Sequence, residues 1–416
     1  MKKFTNVVCT GCSLACSDLV VEVEDSRVER VWGACSHGVK RIKELPAKRL
    51  KSNLSVNELI DKAIDLLRKS RKPLIYGFTS STIETIKIGL SIAEKLNGVF
   101  DSEPSICQLH IPISFEVGLK EVGFEEVLEK SDFIIYAFTN IASTHLRHAS
   151  KYAVYPRGEY VKSGKESRIV MTINYRMNDT TKIAQHNIKV ELGKEVEAIA
   201  SLKKLLIDEE LKASEKLGLT REAALLLLND FKASTYTSIF VGHHLLSSIS
   251  AKEAYHEIAS LVKEIEERKV ATLIPLAEEL NSMGVARILY EKYGATHALE
   301  FKNGKAESNP TVTSAFSKLM REEFDLALIV GSDLFTCIPL SVAVKLKKIP
   351  VIYVGCRKTL ISKVANVSIP TLIVGLESGG EIVRSDGVRV ELTPFLNPPP
   401  SILSEEEILS EILRGL

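Results

Sequence analysis

A cluster of cysteines near the start of the chain constrains its fold more than any other feature. The segment CTGCSLAC places Cys9, Cys12 and Cys16 within one short stretch, and the next cysteine is Cys35 in GACSHG. Three thiolates at this spacing can bind adjacent corners of a four-iron four-sulfur cubane, and a fourth can arrive from a separate element. Zinc is the alternative, although structural zinc sites usually use two closely spaced pairs. We therefore predict an N-terminal iron-sulfur subdomain at residues 1–50.

The composition of the whole chain is that of an ordinary globular protein. Of its 416 residues, 45% are hydrophobic and 26% are charged, so the chain can bury more than one core. The 54 basic residues nearly balance the 53 acidic ones, and such a balance does not favour binding to nucleic acid or to an anionic membrane. The seven cysteines are an odd number, which favours metal ligation or burial over disulfides.

The sequence shows no sign of export or of a membrane span. The start, MKKFTNVVCTGC, lacks the apolar stretch of a secretory signal. The apolar runs at 133–138 and 326–330 are far shorter than the ~20 residues that cross a bilayer. We expect a cytoplasmic protein.

Short apolar runs alternate with longer amphipathic segments after the cysteine-rich start. Residues 73–79 have the pattern of a buried strand, and Ser81 with Glu84 has the spacing of a capping box at the start of a helix. Repeated units of this kind predict an α/β protein with doubly wound, mostly parallel sheets, whose ligands bind at the carboxyl ends of the strands. Further strands are predicted at 132–138, 168–174, 236–242, 269–275, 324–331 and 349–355, with turns at 77–81, 137–140, 174–180, 242–244, 331–333 and 355–359.

Several motifs follow one another in the order of a known family. The segment DSEPSICQLH contains Cys107, and THLRHASKYAVYPRGEY contains Arg147, His148 and Arg157. Together with the four cysteines and PLIYGFTSST, this order resembles the tungsten or molybdenum pterin subunit of formylmethanofuran dehydrogenase. That archaeal enzyme interconverts carbon dioxide and a formyl group. Matching positions in the final third are Asn281, Gly284, Asn309, Pro310, Gly331, Ser332, Asp333, Glu377, Gly380, Arg384, Asp386 and Gly387.

The resemblance implies a multi-domain fold of the molybdopterin-oxidoreductase type. It implies two molybdopterin guanine dinucleotides that hold tungsten or molybdenum, with Cys107 as the protein ligand of the metal. After the subdomain at 1–50, the implied domains are a first pterin-dinucleotide-binding α/β domain (51–108 with 311–375), a second α/β domain (109–310) and a C-terminal segment that packs on the core or on a partner (376–416).

The candidate cofactor-binding residues cluster in the predicted turns. Backbone N–H groups at the turns 77–81 and 331–333 can bind a pyrophosphate. Asn174 stands where the wider molybdopterin family commonly has an aspartate that binds guanine, and an amide accepts a hydrogen bond without the strengthening charge. The full candidate set is Gly77, Ser80, Ser81, Asn140, Arg147, His148, Arg157, Asn174, Arg176, Thr180, Asn281, Gly284, Gly331, Ser332 and Asp333.

Two catalytic groups that the resemblance implies are replaced in this chain. The family's metal-binding cysteine is followed by a histidine, whereas Gln108 follows Cys107 here. The amide of Gln108 does not titrate, so it cannot act as a general acid or base. His110 is the nearest residue that could compensate. The family's arginine before the Asn309-Pro310 pair is also missing, and Lys302 is the candidate cation for stabilising an oxyanion. The candidate catalytic residues are therefore Cys107, His110 and Lys302.

Simpler explanations exist for some of these residues. A lone cysteine such as Cys107 is usually a small buried side chain, and we expect Cys337 and Cys356 to be core thiols. The basic residues of THLRHASKYAVYPRGEY could form surface or interface ion pairs instead of touching a cofactor. The adjacent pair His243 and His244 could bind metal, but neighbouring residues on a strand point apart.

The resemblance implies a two-electron oxidoreductase subunit, with electrons passing through the cluster to or from a formyl- or formate-level substrate. The residues Gln108, Phe138 and Asn174 favour the alternative, a non-catalytic paralogue that serves as an electron-relay or scaffold subunit. Single-chain molybdopterin oxidoreductases end in an additional barrel-like domain, whereas this sequence stops soon after the prolines at 398–400. We therefore expect a small barrel subunit as a partner, beside further subunits for formyl transfer and electron delivery.

Overall fold

The computed structural model describes residues 1–118 and 120–416. These residues form two compact units, which are treated separately. Unit 1 contains Met1–Cys107, Glu279–Arg384 and Arg389–Leu416, and unit 2 contains Gln108–Glu278 and Ser385–Val388. Within the described ranges, no helix is long and apolar enough to span a membrane.

The strands in the described part of the chain are β1 (Lys2–Val7), β2 (Leu19–Glu24), β3 (Arg27–Trp32), β4 (Pro73–Gly77), β5 (Val99–Asp101), β6 (Phe133–Ala137), β7 (Ile169–Asn174), β8 (His186–Lys189), β9 (Tyr236–Val241), β10 (Val270–Pro275), β11 (Leu299–Lys302), β12 (Lys305–Ser308), β13 (Leu326–Val330), β14 (Val351–Val354), β15 (Val367–Ile369), β16 (Gly380–Val383) and β17 (Arg389–Leu392). The α-helices are α1 (Ser36–Val39), α2 (Val56–Lys69), α3 (Ile83–Lys95), α4 (His110–Glu116), α5 (Phe124–Lys130), α6 (Ile141–Thr144), α7 (Glu195–Leu206), α8 (Arg221–Ala233), α9 (Ala251–Glu266), α10 (Ser282–Tyr293), α11 (Pro310–Thr313), α12 (Ala315–Met320), α13 (Leu334–Cys337), α14 (Leu340–Ala343), α15 (Leu360–Val364) and α16 (Glu405–Gly415).

Unit 1 is built on a seven-stranded sheet with the order β12-β11-β5-β4-β13-β14-β15. The strands from β5 to β15 in this order run parallel, and β11 and β12 form an antiparallel edge. Every residue of β4 and β13 is buried, as expected for parallel strands covered on both faces. Since the chain leaves β4 toward β5 and returns on the other side at β13, the carboxyl ends of β4 and β13 form a switch point where ligands bind in such folds.

Unit 2 is built on a fully parallel five-stranded sheet with the order β10-β9-β6-β7-β8. Its core combines β6, β7 and β9 with the apolar faces of α7, α8 and α9. The switch point lies between β6 and β9, whose following turns begin at residues 138 and 242. The two sheets confirm the predicted doubly wound, mostly parallel α/β architecture.

The N-terminal part of unit 1 is a small antiparallel sheet of β1, β2 and β3. The loop between β1 and β2 carries the cysteine triplet, and Cys35 immediately precedes α1. A separate antiparallel hairpin, β16 with β17, also belongs to unit 1.

The division into units differs from the predicted domain boundaries at residues 279–310 and near the C-terminus, where Ser385–Val388 belong to unit 2. The chain passes into unit 2 at Gln108, close to the predicted boundary, but residues 279–310 belong to unit 1 and not to the second α/β domain. The physical reason is that β11 pairs with β5 and so extends the seven-stranded sheet. Near the C-terminus, α16 packs against α2 and α3 of the same unit through its buried apolar face.

The first helix after β4 begins one residue later than the capping-box pattern indicates. Thr82, not Ser81, is the N-cap of α3 and accepts a hydrogen bond from the N–H of Thr85. The hydroxyl of Ser81 instead donates to Oε2 of Glu405 at 2.6 Å. A long-range partner has therefore replaced the local cap.

Candidate functional site

The cysteine triplet lies on a tightly folded loop. The N–H of Cys9 donates to the carbonyl of Cys16 at 2.9 Å, and the N–H of Ala15 donates to the carbonyl of Cys12 at 3.2 Å. Ala15 has a left-handed backbone with φ of +40°. These bonds close the loop and bring the three cysteines together.

Close packing of α1 brings the fourth cysteine to this loop. A Cβ atom at Gly38 would stand 2.9 Å from Sγ of Cys9, and one at Gly11 would stand 3.2 Å from the backbone N of Gly38. Two glycines therefore permit the backbone of α1 to approach the loop. Cys35, which precedes α1, is carried with it.

The four thiols influence one another electrostatically. Burial, together with repulsion from Cys16 and Cys35, raises the pKa of the Cys9 thiol to about 12. Burial likewise raises the pKa of Cys12, and repulsion from the other three cysteines adds to it. A group that keeps these thiols deprotonated must therefore bring positive charge, as iron does.

The thiols are not grouped around a single point in the described part of the chain. In residues 1–118 and 120–416, no three His, Cys, Asp or Glu side chains are grouped closely enough to hold one metal ion. A zinc site needs such a group around a single ion, whereas each cysteine of a four-iron cluster binds a separate corner of a larger body. The set of four buried or half-buried thiols is compatible with the second case.

The switch point of unit 1 is formed by two glycine turns. Gly77 has φ of +109°, and a Cβ there would stand 2.2 Å from the carbonyl oxygen of Val330. Gly331 has φ of +65°, and its N–H donates to the carbonyl of Val354 at 2.9 Å. The turns after β4 and β13 therefore lie side by side with their backbones in close contact.

A small cavity opens beside these turns. It is lined by Ser80 and Gly331 together with Arg41, Arg357 and Glu405. Two guanidinium groups, a hydroxyl and a glycine backbone are groups that bind phosphate. Burial raises the pKa of Glu405 to about 7, so its carboxyl can be neutral close to the position that an anion would take. Neither arginine nor Glu405 was among the residues singled out from the sequence.

Ser332 and Asp333 hold the turn together instead of presenting their side chains to a ligand. The hydroxyl of Ser332 donates to the carboxylate of Glu103. The carboxylate of Asp333 accepts hydrogen bonds from the N–H of Phe335 at 3.1 Å and from that of Leu360 at 2.7 Å. Their side-chain polar groups are engaged within unit 1, and the cofactor contact through the backbone N–H groups of this turn stays a prediction.

Asn281 is also a structural residue in unit 1. Its N–H donates to the carbonyl of Thr79 at 2.7 Å, and Nδ2 donates to the carbonyl of Ser81 at 2.7 Å. Its Oδ1 accepts a hydrogen bond from the N–H of Val383 at 2.7 Å. Gly284 is required because any Cβ there would overlap the Asn281 amide. The two residues were predicted to bind the cofactor, but they tie the turn after β4 to α10 and β16.

Cys107 has a neighbour that the sequence did not reveal. Cys337, which was assigned to the core, is only half-buried, and its hydrogen bond with Cys107 is the largest cause that raises its pKa. Buried Glu103 raises it further, and burial raises the pKa of Glu103 itself to about 7. No local motif could have found this pair, since the two thiols are far apart in the sequence.

Lys302 is paired with a carboxylate on an exposed hairpin. It lies at the exposed end of β11, and its Nζ forms an ion pair with Oε2 of Glu300 at 3.0 Å. The side-chain hydrogen bond with Glu300 raises the pKa of Lys302. The charge of Lys302 is therefore already balanced, and its catalytic role stays a prediction.

The carboxyl edge of the sheet in unit 2 presents an unsatisfied amide. Asn174 is buried at the carboxyl end of β7, and neither Oδ1 nor Nδ2 has a hydrogen-bond partner in the described part of the chain. Buried amides without partners are rare and costly, so this side chain is suited to a ligand such as guanine. Nearby, Oγ1 of Thr180 donates to Oδ1 of Asn140 at 2.9 Å and joins the turns after β6 and β7. Arg176 is exposed.

The phenylalanines after β4 and β6 adopt backbone conformations that favour glycine. Phe78 has φ of +72° and Phe138 has φ of +51°, although both rings are fully buried. The ring of Phe78 lies against Gly89 of α3, and that of Phe138 packs against Tyr175 with centroids 5.0 Å apart. Both rings belong to the packed interiors of their units, where apolar burial offsets the backbone cost.

The basic segment of unit 2 has a buried histidine between two more accessible arginines. Nδ1 of His148 lies 3.0 Å from the hydroxyl of Tyr136, and the ring packs edge-on against Phe124. Burial lowers the pKa of His148 well below its usual value, so the ring is neutral. His148 is therefore part of an aromatic core, and its cofactor contact stays a prediction. Arg147 is half-buried and Arg157 is exposed.

His110 is enclosed at the start of α4. Its Nε2 donates to the carbonyl of Leu276 at 2.9 Å, and burial lowers its pKa to about 4. Gln108 is also buried, and its Oε1 accepts a hydrogen bond from the N–H of Glu278 at 2.9 Å. A neutral, enclosed ring that supports a carbonyl does not favour the predicted role in proton transfer.

The chain is similar over its full length to one group of known proteins. No protein-family model matches it. One subunit of the tungsten-containing formylmethanofuran dehydrogenase 2 from Methanocaldococcus jannaschii is 26% identical over 432 aligned positions, covering 100% of this chain and 98% of that protein. The corresponding subunit from Methanococcus maripaludis is 27% identical, with coverage of 100% and 99%.

Solved structures show the same fold at low identity. A chain of the formyltransferase/hydrolase complex FhcABCD from Methylorubrum extorquens, solved with methylofuran, has a TM-score of 0.65 at 16% identity and covers 88% of this chain and 97% of its own length. Acetylene hydratase from Pelobacter acetylenicus has a TM-score of 0.72 at 11% identity, with coverage of 99% and 69%. The full-length similarities and the two α/β units confirm the family resemblance that the motifs indicated. The chain is a divergent relative of these tungsten-containing formylmethanofuran dehydrogenase subunits and has the fold of a molybdopterin-type oxidoreductase.

Proposed function

We propose that this chain is the redox subunit of a complex resembling formylmethanofuran dehydrogenase. It would interconvert carbon dioxide and a formyl- or formate-level substrate by moving two electrons through a four-iron four-sulfur cluster. The observation that carries the proposal is the packing of α1, which follows Cys35, against the hydrogen-bonded loop of Cys9, Cys12 and Cys16. The tungsten-containing relatives align over the full chain, which supports a pterin-bound metal as well.

The proposed cluster ligands are Cys9, Cys12, Cys16 and Cys35. When bound, the cluster accepts and releases single electrons. The protein's contribution is to exclude water from the thiols and to hold the loop rigid through its backbone hydrogen bonds, so that little rearrangement accompanies a change of charge.

The proposed pterin contacts lie at the carboxyl ends of parallel strands within each unit. In unit 1, the turns at Gly77 and Gly331, with Arg41 and Arg357, would bind phosphate. In unit 2, the unsatisfied amide of Asn174 would bind a guanine edge. Two molybdopterin guanine dinucleotides would supply the metal-bound sulfur ligands for two-electron chemistry, and Cys107 would add a soft thiolate ligand to tungsten or molybdenum.

The test is elemental and cofactor analysis of the complex purified without oxygen. We expect about four irons and about four labile sulfides per chain, together with tungsten or molybdenum and extractable pterin. A Cys35→Ser variant should lose iron. The control variant Cys356→Ser alters a buried thiol that is not a proposed cluster ligand, and it should retain iron. Stoichiometric zinc without labile sulfide would contradict the cluster.

A second candidate function is an electron-relay or scaffold subunit without turnover. The specific observation in its favour is that His110 is neutral and enclosed while Lys302 is paired on an exposed hairpin. A complex that keeps its iron and sulfide but contains no tungsten, molybdenum or pterin would establish this alternative over the first.

A small barrel subunit remains the proposed partner, as part of a larger complex. A partly exposed dinucleotide loses apolar contacts and buried hydrogen bonds, so retention of pterin should depend on a covering partner. Expression with and without a candidate barrel subunit, followed by measurement of pterin after gel filtration, tests this. Equal, stoichiometric pterin in both preparations would argue against the partner.

A cytoplasmic location also stays a prediction, which cell fractionation would test.

A further inference from the structure

The carboxyl group of Glu405 lies at the switch point of unit 1. Its Oε2 accepts a hydrogen bond from the hydroxyl of Ser81 at 2.6 Å. A Cβ atom at Gly331 would stand 3.7 Å from Oε1 of Glu405. The carboxyl therefore lies against both the turn after β4 and the turn after β13, at the edge of the sheet where ligands bind in such folds.

The helix that carries this carboxyl is firmly attached to unit 1. Glu405 is the first residue of α16, and Ser404 caps the helix through a capping box with Glu407. The buried face of α16 packs against α2 and α3, and Glu405 itself is only 4% exposed. Rotation of the side chain, or movement of the whole helix, is therefore needed to take the carboxyl away from the two turns.

The space left beside the carboxyl is too small for a phosphate group. The cavity that Glu405 lines with Arg41, Arg357, Ser80 and Gly331 has a volume of about 10 Å³, which is about the room that one water molecule requires. The same lining contains two guanidinium groups, which bind phosphate well. The lining therefore suits an anion, but the carboxyl of Glu405 fills the place that the anion would take.

The charge of this carboxyl depends on its surroundings. The other titratable and charged groups that line the cavity are Arg41, Tyr353, Cys356 and Arg357. Arg68 of α2 and Lys95 of α3 also contact α16, but they bind carbonyls at its other end. Burial raises the pKa of Glu405 to about 7, while the hydrogen bond from Ser81 and the charge of Arg41 oppose the rise. The carboxyl can therefore gain or lose its charge near neutral pH.

We propose that Glu405 is an internal competitor at the phosphate site of unit 1, so that the pyrophosphate of a dinucleotide binds when this carboxyl is neutral or displaced. The inference rests on the phosphate contacts that the proposed function assigns to the glycine turns, Arg41 and Arg357. An ionised Glu405 repels an anion and occupies the space beside the guanidinium groups. A protonated Glu405 removes the repulsion and can donate a hydrogen bond to a phosphate oxygen. Affinity for pyrophosphate should therefore fall as the pH rises through about 7.

The test is calorimetric titration of the full-length chain, purified without pterin, with inorganic pyrophosphate. At about pH 8, where about one tenth of the wild-type carboxyl is protonated, Glu405→Gln should bind pyrophosphate about tenfold more tightly than the wild type. At about pH 5.5 the two should bind equally, because the wild-type carboxyl is then neutral as well. Pyrophosphate also titrates over this range, but it does so identically in both titrations. The ratio of the two affinities therefore reports on Glu405.

Three further variants separate charge from space and locate the ligand. Glu405→Ala removes the charge and enlarges the cavity, so it should bind pyrophosphate more tightly than the wild type at both pH values. Glu406→Gln alters the exposed neighbour and should match the wild type at both. In the Glu405→Gln background, Arg357→Gln should weaken binding about tenfold, because it removes one of the two guanidinium groups.

The possible failures are distinguishable. Equal affinities of the wild type and Glu405→Gln at about pH 8 would overturn the competition. They would leave the phosphate contacts of unit 1 in place if Arg357→Gln still weakens binding. Binding that does not respond to Arg357→Gln, or no binding by any variant, would overturn both the competition and these phosphate contacts. Neither result bears on the iron-sulfur cluster, which the elemental analysis tests separately.

Discussion

Gly284 lies directly against the side-chain amide of Asn281, and a Cβ atom at Gly284 would stand 2.0 Å from Oδ1 of that residue. We expect Gly284→Ala to displace the amide, to weaken its bond with Val383 and to lower the free energy of unfolding by about 1–3 kcal/mol. Urea unfolding of the chain measures this change.

The control for this prediction is a double-mutant cycle. Asn281→Ala removes the amide that a Cβ at Gly284 would overlap. In the Asn281→Ala background, Gly284→Ala should therefore lower the free energy of unfolding by clearly less than it does in the wild type. Equal costs in both backgrounds would show that the close approach does not govern the choice of glycine.

Phe138 combines a fully buried ring with a left-handed backbone. Replacement of Phe138 by alanine or by glycine removes the ring and should lower the free energy of unfolding by about 3–5 kcal/mol. Alanine retains the left-handed strain, which is about 1–2 kcal/mol, whereas glycine does not. We therefore expect Phe138→Gly to be more stable than Phe138→Ala, a reversal of the usual order.

Phe133 is the matched position for that comparison. Phe133 is equally buried and lies in β6, the strand that directly precedes Phe138. It is not among the residues with positive φ. Phe133→Gly should therefore be less stable than Phe133→Ala. The same order at both positions would contradict the backbone argument.

The buried carboxyl of Glu405 should make stability depend on pH. Burial raises its pKa from 4.5 to about 7, so the folded chain binds this proton more tightly than the unfolded chain. The resulting stability is fully present below pH 4.5 and is lost as the pH rises through about 7. Glu405→Gln keeps a neutral acceptor for Ser81 and should abolish this part of the dependence.

Denaturant unfolding at several pH values checks the sign. Relative to the wild type, Glu405→Gln should be more stable above pH 7 than it is near pH 4.5, by about 1–3 kcal/mol. Glu406→Gln, which alters an exposed neighbour, should show no such trend. A constant offset between Glu405→Gln and the wild type would refute the assignment.

The unsatisfied amide of Asn174 should affect retention of a guanine nucleotide in the proposed complex. Asn174→Asp supplies a charged acceptor, which forms a stronger hydrogen bond with the donor edge of guanine. We expect this variant to retain pterin about tenfold longer during dialysis than the wild type does. Asn174→Ala should lose it faster.

Asn187 offers a control on the neighbouring strand, because its Oδ1 already accepts a hydrogen bond from Thr172 at 2.6 Å. Asn187→Asp should leave pterin retention unchanged. If Asn174→Asp and Asn174→Ala retain pterin as the wild type does, the amide does not contact the nucleotide.

Local sequence patterns were sufficient to locate the strands that build both sheets. The apolar runs that predicted β4, β6, β7, β9, β10, β13 and β14 each correspond to an observed strand. A short apolar run is a property of neighbouring residues, and in a parallel sheet it is buried on both faces whatever its partners are. The spacing of Cys9, Cys12 and Cys16 is equally local, so their common loop could be predicted in the same way.

The partners of individual polar groups could not be read from such patterns. Asn174 and Asn281 looked equally suited to a cofactor, yet the first is unsatisfied and the second has three hydrogen bonds within unit 1. The nearness of Cys337 to Cys107 and the pairing of β11 with β5 also join distant parts of the chain. Burial and hydrogen bonding depend on which distant segments pack together, and only the tertiary structure contains that information.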